Sequence, residues 1–348
     1  MELENRIAAF ASLGTMLRET FGEGNSVAAA EPLRKEADEA FRYNGWFTKD
    51  FVYHALNALG ESLREEKLQK WVANYELGTK TSHFLKTVGV VMAGNVPAVG
   101  FHDFLSVLIS GHRVLARLSS EDNKLMPAIA NLLLDIEPGF EEFISFTKEQ
   151  LKNFDAIIAT GSNNTSRYFE YYFGKYPHII RKNRNGIAVL TGEETEKQLR
   201  SLADDVFLYY GLGCRNVAKL FVPEDYNFDL LVDILSSRKD VIENHKYFNN
   251  YEYNKAIFLV NNRDHFDTGN LLMVEDEKFA SSVGVLHYEY YTNQAGLRNY
   301  LMVNREQVQC VVSGAAFLDN TVDFGRSQSP ELWDYADGVD TLAFLLKL

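Results

Sequence analysis

An α/β fold built as two open parallel sheets in series, behind a helical amino-terminal region, is predicted by three observations on the 348-residue sequence. Short β-branched apolar runs recur from residue 87 onward, stretches of helical length separate them, and a second such set follows Gly211. Strands buried on both faces read as continuous Val, Ile and Leu runs rather than as alternating patterns. Strands alternating with helices of this length imply right-handed crossover units and a parallel sheet. At about 150 residues per domain the length allows two such domains.

The elements follow in order. Residues 1–80 read as helices, with apolar residues at helical spacing in EPLRKEADEAFRYNGWF and FVYHALNALGESLREEKLQKWV. The first strand set is TVGVVMA (87–93), RVLARL (113–118), DAIIAT (155–160) and IAVLT (187–191). The helical stretches FHDFLSVLIS, NKLMPAIANLLLDI and TSRYFEYYF lie between them. The second set is VAKLFVP (217–223), AIFLV (256–260), GVLHYEYY (284–291) and VQCVVS (308–313), with helices such as FDLLVDILSS between. The boundary between the sheets is placed near residues 190 to 210, giving a helical region 1–80, α/β domains over 81–200 and 201–320, and a closing or oligomerisation segment 321–348.

Composition excludes several classes. With 46% hydrophobic and 24% charged residues the chain is neither disordered nor a disulfide scaffold. Its net charge of −13 argues against a nucleic-acid groove or an anionic membrane surface. Two cysteines, Cys214 and Cys310, cannot staple a chain of this length and point to a reducing compartment. The opening MELENRIAAF lacks the basic and apolar regions of a signal peptide. The most apolar stretch, Thr87 to Phe101, is broken by Asn95 and Pro97 and falls short of the roughly 18 to 20 residues that span a bilayer. The expectation is a cytoplasmic protein with no nucleic-acid partner and no integral membrane association.

Chemistry is sought at strand ends, where open α/β sheets bind ligands. The first strand runs into Ala93-Gly94-Asn95-Val96-Pro97, which offers an Asn amide and equally reads as an ordinary turn. The second ends in Arg117-Leu118-Ser119-Ser120, a cation with hydroxyls or a plain helix cap. The third ends in Thr160-Gly161-Ser162, a junction suited to phosphate on backbone N–H groups. Cys214 stands in Gly211-Leu212-Gly213-Cys214-Arg215-Asn216, where a thiol can be exposed and activated, whereas Cys310 sits within a strand and reads as core. The eight histidines show no ligand spacing such as HExxH, so no metal is expected.

Taken in order, these segments resemble the aldehyde dehydrogenase superfamily, and within it most closely the bacterial fatty-acyl-CoA reductases of the LuxC type. The match covers residues 87 to 223: Gly94-Asn95-Val96-Pro97, then Gly111 to Ser120, then Thr160-Gly161-Ser162, then Gly211-Leu212-Gly213-Cys214 ahead of Lys219-Leu220-Phe221-Val222. The resemblance implies a Rossmann-like cofactor domain, a catalytic domain and a nucleophile in the cleft between them. It makes Cys214 the catalytic thiol and Asn95 an oxyanion donor. It places Arg117, Ser119 and Ser120 on the adenosine side of a nicotinamide cofactor and Thr160, Gly161 and Ser162 beside its phosphates. Glu277, in Glu277-Lys278-Phe279, looks like the Glu-x-Phe that holds the nicotinamide ribose, although Ala-Ser-Ser follows where Gly-Pro is usual and the segment reads equally as an exposed acidic run.

Departures from the pattern direct the reading further. Ser120 replaces a carboxylate that would repel a 2′-phosphate, and Arg117 is near, which favours NADPH over NADH, with Glu121 as the counterweight. Leu212 replaces a Gln beside the thiol. Glu193-Glu194 reads as a cap of the following helix rather than as a water-activating base, so the reductive direction is favoured: acyl-CoA, or a related acyl thioester, to aldehyde. The basic run 175–184 either grips phosphates or is a solvated turn, and the aromatics Tyr168 to Phe173 either line an acyl tunnel or pack on the sheet. The Gly- and Ser-rich segment from Phe324 to Gly338 resembles the superfamily's closing segment, and a homo-oligomer is expected. The rivals are an acyl-phosphate reductase of the γ-glutamyl-phosphate kind and a non-catalytic nucleotide-binding protein of the same fold.

Overall fold

The computed structural model describes residues 1–25, 27–77, 85–161 and 163–348, with the backbone alone for Asn163 and Asn164. The chain forms two compact units, Met1–Lys182 together with Pro330–Leu348, and Asn183–Ser329.

The first unit begins with helices α1 (Leu3–Leu17), α2 (Glu31–Tyr43), α3 (Lys49–Ser62) and α4 (Glu65–Val72). The α/β part follows: β1 (Thr87–Val91), α5 (Phe101–Ile109), β2 (Arg113–Arg117), α6 (Leu125–Ile136), β3 (Ile144–Thr147), β4 (Ala156–Thr160), α7 (Asn163–Phe173) and β5 (His178–Arg181). The helical region is continuous with the sheet's core: Phe10, Leu13, Leu17 and Trp71 are fully buried in one cluster with Val88, Phe104, Leu133 and Ile158. Each such side chain contributes about 1.5 to 3 kcal/mol by leaving water, so the helices α1 to α4 pack as part of this unit. The strands pair in parallel in the order β3-β2-β1-β4-β5. That order reverses direction between β1 and β4, which is the switch point where a crevice opens at the carboxyl ends of a doubly wound sheet.

The second unit contains β6 (Asn185–Val189), α8 (Glu196–Phe207), β7 (Val217–Pro223), α9 (Asp229–Ser236), α10 (His245–Val260), β8 (Phe266–Asp267), β9 (Leu272–Glu275), β10 (Val285–Tyr291), α11 (Gln294–Val303) and β11 (Val308–Val312). Its sheet runs β11-β6-β7-β10-β9-β8, parallel except for the short β8–β9 pair. The core includes Ile187, Val189, Phe221, Phe279, Leu297 and Leu301. The chain returns to the first unit at Pro330 and ends in α12 (Thr341–Leu345).

Three expectations change. The run IAVLT belongs to the second sheet, as β6 between β11 and β7, so the units divide after Lys182 rather than between 190 and 210. Alternation along the chain does not say which sheet a strand joins, and the short edge strand β5 closes the first one. AIFLV is the end of α10 rather than a strand. This helix buries Tyr247, Tyr251, Asn254 and Phe258 along one stripe and leaves Leu259 and Val260 59% and 81% exposed, a period that a strand would not produce. The segment 321–348 is divided, since 321–329 stays with the second unit and 330–348 packs on the first. There Trp71 Nε1 donates to the Tyr335 hydroxyl at 2.6 Å and Lys67 pairs with Glu331 at 2.8 Å.

Candidate active site

In the first unit, three of the predicted strand ends share one edge. Val91 of β1 is in register with Arg117 of β2 and with Ala159 of β4, so Asn95, Arg117, Ser119, Ser120, Thr160 and Gly161 all follow the carboxyl edge of one sheet. Two glycines permit this closeness. A Cβ on Gly94 would lie 2.5 Å from Ser119 Oγ, and one on Gly161 would lie 2.9 Å from the Phe169 ring. The turn after β1 lies against the turn after β2, and α7 packs directly onto the end of β4. Ser119 Oγ accepts from the Glu121 N–H at 3.2 Å. Asn44, at the carboxyl end of α2, donates to the Glu121 carbonyl at 3.3 Å. The left-handed Ala98 (φ 53) is held by its N–H on the Asp122 carboxylate at 2.8 Å. Burial pushes the Asp122 carboxyl up from its ordinary value, against the lowering effect of the backbone N–H groups it accepts. Asn95, Arg117 and Ser120 are exposed. Ser162 lies outside the described residues.

Behind this edge, Arg181 of β5 is buried in an ion pair with Asp103 of α5. Its Nη2 donates to Asp103 Oδ1 at 2.8 Å and to the Thr341 hydroxyl at 3.0 Å, and its Nη1 reaches Thr160 Oγ1 at 3.5 Å. Arg181 is therefore withdrawn from the basic run 175–184, and Lys182 pairs with Glu170 at 3.3 Å. Of the aromatics on α7, Phe169 is buried, whereas Tyr168, Tyr171 and Tyr172 are exposed, so packing on the sheet accounts for only part of that cluster.

In the second unit, Cys214 is exposed and Cys310 is buried in β11. The thiol's loop connects α8 to β7 and is held from several sides. Tyr209 (φ 53), Tyr210 (φ 57) and Gly211 (φ 74) turn the chain through three consecutive left-handed residues, a conformation that costs a bulky residue of order 1 kcal/mol and persists only where packing over-determines it. Both tyrosines are buried. The buried Asn216 side chain accepts from the Gly213 N–H at 2.8 Å and donates to the carbonyls of Asp205 at 3.0 Å and Leu208 at 2.8 Å, which satisfies the end of α8 and fixes the thiol turn together. Arg215 Nε donates to the Ser327 carbonyl at 2.6 Å. The buried Asp205 carboxylate accepts the N–H groups of Gly325 at 2.6 Å and Ser327 at 2.9 Å, and burial pushes its carboxyl up from the ordinary value. Cys310 is more than packing, for its Sγ donates to the Arg215 carbonyl at 3.6 Å.

Glu277 is exposed just beyond the carboxyl end of β9, and the backbone carrying it is pinned. The buried Lys219 donates to the Glu277 carbonyl at 2.8 Å while pairing with Glu289, and His287 Nδ1 donates to the Lys278 carbonyl at 2.9 Å. Phe279 packs inward against Tyr300. Glu194 does not cap α8; that is done by Thr195 in a reciprocal box with Gln198. The Glu194 carboxylate instead closes the turn after β6, accepting the Thr191 N–H at 2.6 Å and the Gly192 N–H at 3.1 Å. Asn216 and Asp205, which support the thiol loop, and Gln328, which lies beside Gly213, were not singled out from the sequence. The one signal available was an Asn two residues after the thiol.

Comparison with known proteins places this geometry. The family model described as "Acyl-CoA reductase (LuxC)" matches residues 25–237, more than half of the chain. No curated protein sequence matches the chain. The structure is similar to indole-3-acetaldehyde dehydrogenase AldA of P. syringae, solved as a mutant with NAD+ and IAA, at 13% identity and a TM-score of 0.66, covering 94% of this chain and 75% of that one. An aldehyde dehydrogenase of Bacillus cereus gives 11% identity and a TM-score of 0.65, covering 94% and 83%. The NADP-dependent glyceraldehyde-3-phosphate dehydrogenase of Bacillus halodurans C-125, complexed with NADP, gives 12% and 0.61, covering 90% and 79%. At these identities the likeness shows the fold, an α/β fold with parallel sheets like that of aldehyde dehydrogenases.

Proposed function

The chain belongs to the LuxC family of acyl-CoA reductases, and from that premise we propose that it reduces an acyl thioester of coenzyme A to the aldehyde through an acyl-enzyme on Cys214. The observation that carries the reading is the thiol itself, exposed on a loop whose backbone is pinned by Asn216, Arg215 and Asp205. A nucleophile needs this combination of access and fixed position.

The Cys214 thiolate attacks the acyl carbonyl carbon, the bond to the CoA sulfur breaks, and the CoA thiolate leaves. The Asn95 amide donates to the oxygen that carries the developing negative charge. A bound reduced nicotinamide dinucleotide supplies the hydride that the acyl carbon gains. The resulting thiohemiacetal oxyanion then expels the Cys214 thiolate and releases the aldehyde. The residues fit the cofactor: Arg117 and Ser120 are exposed, and Thr160 and Gly161 stand at the switch-point edge, the side on which a doubly wound sheet takes a dinucleotide. Arg117, Ser119 and Ser120 take the adenosine side and favour NADPH, Thr160 and Gly161 the phosphate side, and Glu277 the nicotinamide ribose.

The position of Glu194 supports the reductive direction. Its carboxylate is occupied by the Thr191–Gly192 turn after the carboxyl end of β6, whereas Cys214 precedes the amino end of β7, so it is not a base for hydrolysing the acyl-enzyme. The test is acyl-CoA-dependent NADPH oxidation by the wild type and by Cys214→Ala. Loss of turnover in the variant is expected, and unchanged turnover overturns the mechanism.

A further inference from the structure

The segment that returns beneath the thiol loop carries a side chain to which the proposed mechanism gives no part. Gly325 to Gln328 is tied to the loop by the two Asp205 bonds and by Arg215 on the Ser327 carbonyl. This brings the Gln328 amide against the residue before the thiol: a Cβ on Gly213 would lie 3.3 Å from Gln328 Oε1 and 3.4 Å from Nε2. The Nε2 atom is buried and has no hydrogen-bond partner among the described residues. Asn216 Oδ1, which also lies beside Gly213, takes the Gly213 N–H rather than the Gln328 amide. An unsatisfied buried amide donor costs about 1 to 3 kcal/mol, and such groups in a native fold call for an explanation. Leu212, the neighbour on the other side of Gly213, offers no amide of its own.

We propose that Gln328 is a further catalytic residue, whose side-chain amide donates a hydrogen bond to the carbonyl oxygen of an acyl group carried on Cys214. The assignment rests on the acyl-enzyme reading above. It gives the buried N–H its acceptor only when the thiol is acylated, so the donor strengthens the state in which charge develops on that oxygen. The returning segment is anchored to the thiol loop by its own backbone at Gly325 and Ser327 rather than through the Gln328 amide.

The test uses the full chain acylated on Cys214 by a p-nitrophenyl ester with a 13C-labelled carbonyl, which requires neither cofactor nor CoA. Infrared difference spectra are compared for the wild type, Gln328→Met and Gln328→Leu, the last two keeping the approximate size of the side chain while removing the donor. The carbonyl stretch is expected at higher wavenumber in both variants, with kcat for acyl-CoA reduction lowered about 10²-fold and with KM for NADPH, melting temperature and the alkylation rate of Cys214 unchanged. An unchanged stretch overturns the assignment. So does a shift in only one variant, or a parallel fall in melting temperature and alkylation rate, which would make Gln328 a packing residue. A wild type that accepts the ester's acyl group but never oxidises NADPH with acyl-CoA sinks the reductase reading, while the stretch still decides the role of Gln328. A Cys214 that takes no acyl group from the ester overturns both.

Discussion

In the first unit the residues assigned to the cofactor lie along the carboxyl edge of the sheet, at the ends of β1, β2 and β4. In the second unit the assigned nucleophile precedes the amino end of β7, and the carboxyl edge instead borders an open cavity of about 1060 Å3 lined by Glu193, Glu224, Asp225 and Asn293 among others. The two assignments thus lie at opposite ends of sheets of similar architecture. Topology suffices to locate the first kind of site, because a switch point leaves free backbone N–H groups and space for a dinucleotide. It does not locate the second, where a loop must be held by side chains that reach it from elsewhere in the sequence.

The largest effect that would sharpen this contrast lies between the two cysteines. Cys214→Ala is expected to lower acyl-CoA turnover by roughly 10⁴-fold or more, while Cys310→Ala within β11, which loses a weak Sγ contact to the Arg215 carbonyl, keeps turnover near that of the wild type. Comparable losses in the two variants would break the assignment of one nucleophile and one core residue.

Next come the buried supports of each site. Asp103→Ala strands Arg181 in the first unit's core and is expected to cost about 3 to 5 kcal/mol in denaturant unfolding. Asn216→Ala in the second unit removes one accepted and two donated bonds of the thiol turn. Its expected cost is about 2 to 3 kcal/mol, with slower alkylation of Cys214, which Asp103→Ala leaves unchanged. Arg117→Ala should raise KM for NADPH about tenfold, worth about 1.4 kcal/mol, with little change for NADH; equal effects on both would remove the argument for the phosphorylated cofactor.

The smallest effect is in pH. His102 and His112 bond to the carbonyls of Leu332 at 2.9 Å and Leu345 at 3.1 Å, and burial holds both imidazoles below their ordinary value of 6.5. The unfolded histidines therefore take protons at pH values where the folded ones do not. Their contribution to stability is complete above about pH 6.5 and is lost as pH falls below it. Melting temperature should drop from pH 7.5 to 5.5, and His112→Gln should flatten that slope.

The parts of this molecule legible in the sequence are those whose signal is local. The runs TVGVV, VAKLFVP and VLHYEYY are largely buried strands because short runs rich in β-branched, aliphatic and aromatic residues suit a sheet covered on both faces. The same criterion failed for AIFLV, since the stripe Tyr247, Tyr251, Asn254 and Phe258 outweighed a local apolar run at the end of the helix. It also missed the four-residue strands β3 and β5, which are too short to show a period. For the site, Cys214 and the glycine-bearing turns were visible because glycine and cysteine mark special backbone and special chemistry. Asp205 and Gln328 were not: their role depends on contacts that bridge more than a hundred residues along the chain, as the Asp205 bond to Gly325 does.

The most direct test of the central claim is intact-mass analysis of the protein mixed with acyl-CoA in the absence of NADPH. The account predicts one added acyl group, mapped to the peptide containing Cys214 and discharged as aldehyde when NADPH is supplied. An acyl group on any other residue, or an unmodified Cys214 in a protein that still makes aldehyde, would contradict it.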